Sequence, residues 1–510
     1  MFSLIIKERK AFFYGAALFF FTVLAWGLVQ FYFFRPDSIV NDWMGWRESD
    51  TQSIALNFLK NKFNIFYPEV NWAGPVNAFI ETEFQLYAAL IALIMKVVGP
   101  AEWPGQIISL LSIMMSSVVM FFCLHKRFSL YASTLGALSL LTFRGVIFLS
   151  TSVQPDAFAF LFFTLSFSVF LDYLDNPCRR TLLWYVLWTA LAGLIKPTTL
   201  SIGVAQAIMA VLINGKVLRR PSLWMAWLLI LAIVAAYLLH GAYLYKTYGY
   251  TFGILSGGDS KSPKAEHLII PWLYKDLIKQ AILWGVNILG VMGAAYLLVR
   301  GKIKEVEMAL AVSYGMLCLA AMRYMHDEFG EHYHIYAVIL SVWLFAKMLD
   351  DLEKICAQHK FMHRALILSS LVLIGGHYAY QAKDRLSYNR DDLSPILSFG
   401  EEMKKVIPPG EVIVVRSSEN SYNKFWRTIN NFEDPRLFYI SETKGWIMAN
   451  DHFGTDVIEA RYKAGAHYYV EVFLERKNKG EDPAFYQWLQ AHGEPLLHNE
   501  KGMIYRFSQP

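Results

Sequence analysis

Between Ala11 and Phe34 the chain carries no charged residue. Those 24 positions, at about 1.5 Å per residue, exceed a hydrocarbon core of roughly 30 Å, so the stretch is a predicted membrane span. Lys7, Arg9 and Lys10 precede it and place its N-terminus in the cytoplasm. It is longer than a signal-peptide core and no small-residue cleavage site follows, so it is expected to be retained. Further apolar stretches predict spans at about 105–124, 130–149, 156–174, 181–195, 198–214, 222–244, 277–299, 306–322, 334–349 and 364–381. Phe84 to Val98 is shorter and is interrupted by Lys96. As a crossing segment it would put His125-Lys126-Arg127 outside. As a partly embedded segment it makes every second loop basic: that loop, then Arg179 and Arg180, then Lys216, Arg219 and Arg220, then Arg300, Lys302 and Lys304, then Lys354, Lys360 and Arg364. The positive-inside bias selects the second arrangement. The prediction is a mainly α, polytopic membrane helical bundle of about 11 spans, N-terminus inside and C-terminus outside.

From about Asp384 the apolar runs stop. Residues 1–383 are expected to form the membrane domain and 384–510 a small extracytoplasmic α/β domain, with strands at 411–415, 437–440 and 467–473 and helices at 396–406 and 455–464. A chain that is 55% hydrophobic and only 17% charged, with mean hydropathy +0.32, agrees with a membrane bundle plus a soluble part. The net charge of +5 adds little. Its lysines and arginines sit in short loops and report orientation, so no nucleic-acid partner is implied. Cys123, Cys178, Cys318 and Cys356 fall in spans or inner loops, which implies no disulfide framework.

The same topology collects polar residues on the outer face: the loop 35–104, Gln154-Pro155-Asp156, Lys196-Pro197, the 245–275 loop and the run Arg323 to His334. Ionisable groups at membrane depth are costly, so their convergence marks a candidate site. Glu48 and Asp50 precede Thr51 to Lys60, whose Ile54, Ala55, Phe58 and Leu59 mark one apolar helix face. In the structural reading Ser49-x-x-Gln52 is a capping box and the acids favour the positive helix end. In the functional reading one carboxylate is a general base while the other orients the acceptor or helps hold a divalent cation such as Mg or Mn, with Glu48 and Asp50 as its ligands. Glu81 and Glu83 lie in an aromatic segment ahead of the ambiguous apolar run, and interfacial solvation explains them equally. Asp156 opens a span after Pro155 and Lys196 ends one, both of which suit the helix dipole; Lys196 would otherwise serve as a point charge for a phosphate. The Arg323 to His334 run, His332 included, fits no standard zinc spacing; Arg323 is its better phosphate partner.

Taken in order, these features resemble the GT-C superfamily: a first span, an outer loop opening on an acidic pair, Thr82-Glu83-Phe84 before a partly embedded helix, Pro155-Asp156 opening a span and Lys196 closing the next outward one. The resemblance covers roughly residues 1–350 and is nearest the bacterial glycosyltransferase family 39-like proteins, related to protein O-mannosyltransferases and lipid A aminoarabinose transferase. It implies Asp50 as the catalytic acid position, Glu48 completing an ExD-like motif, and Glu83 as an acidic residue near donor or acceptor. Asp156 and Lys196, with Glu81, Arg323 and His332, are the expected substrate-binding residues. The Glu-Lys-Pro of some relatives is here Glu83-Phe84-Gln85, which lacks the lysine, and His332-Tyr333-His334-Ile335-Tyr336 departs from the family's His-x-Tyr-Tyr stretch.

The expected activity is inverting transfer of a hexosyl or pentosyl group from a polyprenyl-phosphate donor to a lipid, glycan or protein acceptor, on the outer face of a bacterial plasma membrane. A lipid-phosphate donor keeps its tail in the bilayer, so its enzyme needs a cavity where spans meet outer loops. A transporter or flippase of a lipid-linked sugar is the alternative. Such proteins are commonly built from two related halves, which are not visible here. A non-catalytic scaffold leaves the acidic outer loop without a role.

Overall fold

The computed structural model describes residues 2–34, 38–61, 63–253, 262–386, 394–473 and 482–508. The bundle begins with α1 (Phe2–Phe33), α2 (Gly45–Lys60), α3 (Leu86–Val98), α4 (Trp103–His125), α5 (Leu130–Leu140), α6 (Arg144–Leu149), α7 (Asp156–Asp175) and α8 (Arg179–Ile195). It continues with α9 (Ile202–Leu212), α10 (Pro221–Tyr248), α11 (Pro271–Gln280), α12 (Asn287–Val299), α13 (Glu305–Ala320), α14 (Met322–Met325), α15 (Ala337–Cys356) and α16 (Lys360–Leu386). Among the described residues six stretches are long and apolar enough to cross a membrane: 13–33, α4, α7, α10, 271–299 and α16. Burial sorts them. α7 is 72% buried and therefore central, whereas α10 and α16, at 28% and 22%, turn most of their apolar surface outward.

The 13 residues of α3 reach only about 20 Å at 1.5 Å per residue, less than a hydrocarbon core. The predicted span 130–149 is not one helix. A turn at Leu141–Phe143 separates α5 from α6. The predicted span 277–299 contains a π-helical turn, Ala281–Val286, joining α11 to α12. α2 starts at Gly45, ahead of the acidic pair, so the capping-box reading of Ser49 and Gln52 fails: the Ser49 hydroxyl donates back to Gly45 O at 2.6 Å inside the helix.

After α16 come α17 (Pro395–Val406), β1 (Val412–Arg416), β2 (Tyr422–Asn423), β3 (Thr428–Ile429), α18 (Arg436–Ser441), β4 (Lys444–Met448), α19 (Thr455–Lys463), β5 (Tyr468–Val472), α20 (Pro483–His492), β6 (Gly493–His498) and β7 (Gly502–Phe507). The five-stranded sheet runs β4-β1-β5-β7-β6, with β4, β1 and β5 parallel and the last two strands antiparallel. The expected strand 437–440 is the helix α18, because an apolar run this short does not distinguish strand from helix, and the strand lies just beyond it at β4.

This sheet region is joined to the bundle by backbone and by core. Gly74 N donates to Gly445 O at 2.6 Å and Gly445 N to Asn71 O at 2.9 Å, so the 71–74 segment extends the β4 edge. Gly445 has φ +153°, and a Cβ there would strike Ile413 O, so no side chain is accommodated. Ile54 and Phe58 of α2 share one hydrophobic cluster with Phe399, Ile413, Phe438 and Ile504. Arg385 at the end of α16 forms a buried pair with Asp42 and donates to the Thr151 hydroxyl at 2.9 Å.

α7 and α8 fix which ends share a face. Asp156 and Lys196 lie at one end of this hairpin, and exposed, free Cys178 lies at the other. Val76 (74% exposed) and Lys463 (69%) lie in regions joined to the first end. An impermeant thiol reagent applied to intact cells should label Val76→Cys and Lys463→Cys, each in a Cys178→Ser background, and leave wild-type Cys178 unreacted until lysis. Equal labelling of Cys178 and Val76→Cys before lysis would contradict this arrangement.

Candidate active site

Residues 47, 50, 51 and 54 are spaced to share one face of a helix, and on α2 Arg47, Asp50, Thr51 and Ile54 together line a cavity. The cavity is a small cleft open to the surface; Glu83, Tyr87, Pro155, Ile195 and Phe252 line its other walls. Phe58, one turn beyond Ile54, continues this face into the core with Ala55 beside it, whereas residues two apart on a helix do not share a face. Helix geometry therefore separates the acidic pair. Glu48 turns away from the cavity and accepts from Val153 N at 2.7 Å. Burial raises its carboxyl well above the usual range, neighbouring Asp42 raises it further, and the Val153 N–H opposes both.

Asp50 is 6% exposed, and its Oδ1 accepts from Trp72 Nε1 at 2.9 Å. Burial pushes this carboxyl well above the ordinary aspartate value. The Trp72 hydrogen bond and the charge of Arg47 oppose that, while Asp434 and Glu433, between β3 and α18, raise it further. Beside Asp50 runs a chain of charges drawn from four segments. Arg47 Nη2 meets Glu83 Oε1 at 2.8 Å, Lys196 Nζ lies 3.8 Å from the same oxygen, and Lys196 Nζ lies 3.0 Å from Asp156 Oδ1. The Thr82 hydroxyl donates to Glu83 Oε2 at 3.0 Å, and the Tyr333 ring centroid lies 5.3 Å from Lys196 Nζ. Glu83, Lys196 and Asp156 are at most 4% exposed, whereas Arg47 is 28% exposed and is the member that reaches solvent.

Of the residues singled out in the sequence, Asp50, Glu83, Asp156 and Lys196 are brought together, and Glu48 is not. Glu81 accepts from the Thr251 hydroxyl and pairs its backbone with Tyr250 and Phe252, which fixes the segment that supplies Phe252 to the cavity wall. Arg323 donates to Asn430 Oδ1 at 3.3 Å and His332 packs on Tyr333; neither lines the cavity. Among the described residues no group of three His, Cys, Asp or Glu side chains converges, and Glu48 and Asp50 point to different sides of α2. Sequence reasoning passed over Arg47 and Trp72. Arg47 was detectable, standing three residues before Asp50 on a helix; Trp72 had no local signal.

A family model described as "Dolichyl-phosphate-mannose-protein mannosyltransferase" matches residues 85–240, from α3 through most of α10. ArnT from Cupriavidus metallidurans in its apo state superposes with a TM-score of 0.62 at 12% identity, over 96% of this chain and 97% of that one. The chain has the GT-C fold. The same ArnT bound to undecaprenyl phosphate matches at 10% identity, with the same TM-score and coverage. The archaeal oligosaccharyltransferase AglB from Archaeoglobus fulgidus, solved with an inhibitory peptide and a dolichol-phosphate, matches with a TM-score of 0.59 at 12% identity, over 96% of this chain and 74% of AglB. No curated protein sequence matches significantly. With this fold and its apolar spans, the chain is an integral membrane protein.

In this GT-C bundle Lys196 is the shared partner of two buried carboxylates. Removing one member of a buried pair typically costs about 3–5 kcal/mol. Lys196→Met should therefore lower the melting temperature markedly, and Lys196→Arg should lower it much less. A Lys196→Met protein melting with wild type would show that the ion chain does not hold these segments together.

Proposed function

We propose that the chain is an inverting glycosyltransferase that moves a sugar from a polyprenyl-phosphate donor to an acceptor hydroxyl or amine at the membrane surface. The observation that carries this reading is the placement of Asp50 beside Arg47 and Glu83 in one cavity, with Lys196 immediately behind. The undecaprenyl phosphate bound by ArnT and the dolichol-phosphate bound by AglB support a lipid phosphate as the donor's carrier.

In this reading Asp50 accepts the acceptor's proton as the acceptor atom attacks the anomeric carbon, and the bond from that carbon to the phosphate oxygen breaks on the opposite side. One displacement inverts the centre. The bonding pair leaves with the phosphate, whose growing charge is met by Arg47 and Lys196. Trp72 fixes one Asp50 oxygen, which holds the carboxylate in orientation. Glu83 and Asp156 balance the two cations before the donor arrives. Because burial, Asp434 and Glu433 raise the Asp50 carboxyl, the base is stronger than an exposed aspartate.

Asp50→Asn keeps the side-chain volume and an oxygen for Trp72 while removing the basic oxygen. Turnover of polyprenyl-phosphate sugar should fall by about 10² to 10⁴ with little change in melting temperature. Retention of more than about a tenth of the wild-type rate would exclude Asp50 as the base. The base must be ionised, so wild-type kcat/KM should fall on acidification with a midpoint above the ordinary aspartate value of 3.8. Trp72→Phe removes a bond that favours the carboxylate, so it should move that limb to higher pH; a shift to lower pH would contradict the assignment.

A further inference from the structure

Tyr422, Phe425 and Ile429 are 46%, 44% and 50% exposed, all on the small β2–β3 hairpin. A two-stranded hairpin is marginal in water, so the contacts that hold this one are informative. Tyr422 pairs with Ile429 across the hairpin, and Asn423 Oδ1 accepts from Phe425 N and Trp426 N, both at 3.1 Å, closing the turn. The turn is fastened to the segment ahead of α11. His267 Nε2 lies 3.0 Å from Phe425 O, Lys264 Nζ donates to Arg427 O at 2.9 Å, and the His267 and Trp426 ring centroids are 4.5 Å apart. The Phe425 ring centroid lies 5.5 Å from that of Trp272.

Trp272 is the second residue of α11 and so belongs to the first turn of the apolar span 271–299. The end of a spanning helix lies at headgroup level, where Trp and Tyr side chains gather. Ile269, 81% exposed, lies just ahead of that turn, and Trp272 itself is 46% exposed. The apolar face of the hairpin is therefore continuous with the rim of a membrane-crossing helix. Lys264, Lys275, Lys424 and Arg427 are exposed around it; Arg427 pairs with Glu266 at 3.2 Å, and exposed Asp327 and half-buried Asp276 are the other acids, which leaves a small cationic excess. Exposed aromatics at the rim of a span, ringed by cations, match an anionic headgroup layer and not open water.

We propose that the β2–β3 hairpin is an interfacial anchor whose Tyr422, Phe425 and Ile429 side chains lie in the headgroup region of an anionic membrane. The anchor stands apart from the transfer reaction. It adds a membrane attachment for the sheet region to the contacts that region makes with the bundle, and holds it down against the bilayer.

The test uses full-length protein reconstituted in vesicles of phosphatidylethanolamine and phosphatidylglycerol. A nitroxide is attached at Ile429→Cys, at Tyr422→Cys as a second probe of the same face, and at Lys463→Cys as a control, each in a Cys178→Ser background. Collision with oxygen, which concentrates in membranes, is compared with collision with a water-soluble nickel chelate. Ile429→Cys and Tyr422→Cys should favour oxygen, and Lys463→Cys should favour the chelate. If both hairpin sites give the Lys463→Cys ratio, the face is open to water or to a protein partner and the anchor is excluded. Loss of the oxygen preference when a vesicle of phosphatidylcholine alone replaces the anionic mixture would support the cationic ring's part in it. An unchanged preference would overturn that part and leave the apolar face as the anchor.

Discussion

The site depends on one buried chain of charges. Arg47 on α2, Glu83 ahead of α3, Lys196 at the end of α8 and Asp156 at the start of α7 come from parts of the sequence up to 149 residues apart, and each is satisfied by its neighbours in the chain. Desolvating one such group alone is expensive, so the four segments must arrive together. The two cations and two anions cancel, which lets the cluster sit out of water before any substrate enters. The helix ends that it gathers form the cavity walls, and the 28% of Arg47 that is exposed is where the cluster meets solvent.

α2 converts this cluster into a site. Its cavity face carries Arg47 and Asp50, and Ile54 and Phe58 continue that face into the same core as the C-terminal sheet. The sheet region is thus part of the scaffold of Asp50. α18 follows directly from Glu433 and Asp434, which raise the Asp50 carboxyl, and Tyr439 within it donates to Glu102 at 2.7 Å, just ahead of α4. Glu48, by contrast, bonds Val153 N ahead of α7, a role in assembling the bundle that its position two residues from Asp50 enforces on any helix.

The apolar periodicity made the bundle legible, because bilayer thickness and helical rise leave few alternatives for runs such as 11–34 or 105–124. That Asp50, Glu83, Asp156 and Lys196 share one face was legible for a related reason: the alternation of basic loops puts all four on the opposite side. Their pairing was not legible. Nothing local shows that Lys196 meets Glu83, or that Trp72 meets Asp50, since both contacts follow from tertiary packing. The break at Leu141–Phe143 lay hidden in a continuous apolar run, and α18 was read as a strand because four apolar residues carry no period. The start of α2 was placed too late because its first turn, Gly45-Trp46-Arg47-Glu48, lacks the apolar spacing that begins at Ile54, although none of the four is exposed. That delay made Glu48 and Asp50 look like a pair before a helix, when they are on different faces within one.

The central claim is that Arg47 and Lys196 receive the lipid phosphate while Asp50 stands on the acceptor side. A cryo-electron microscopy reconstruction of the protein with a polyprenyl phosphate tests it most directly. The account predicts phosphate density in the cavity, with an oxygen within about 3.2 Å of Arg47 Nη or Lys196 Nζ and Asp50 facing it across the remaining space. Phosphate density at Arg323, with the Arg47–Glu83–Lys196–Asp156 chain undisturbed and the cavity empty, would contradict it.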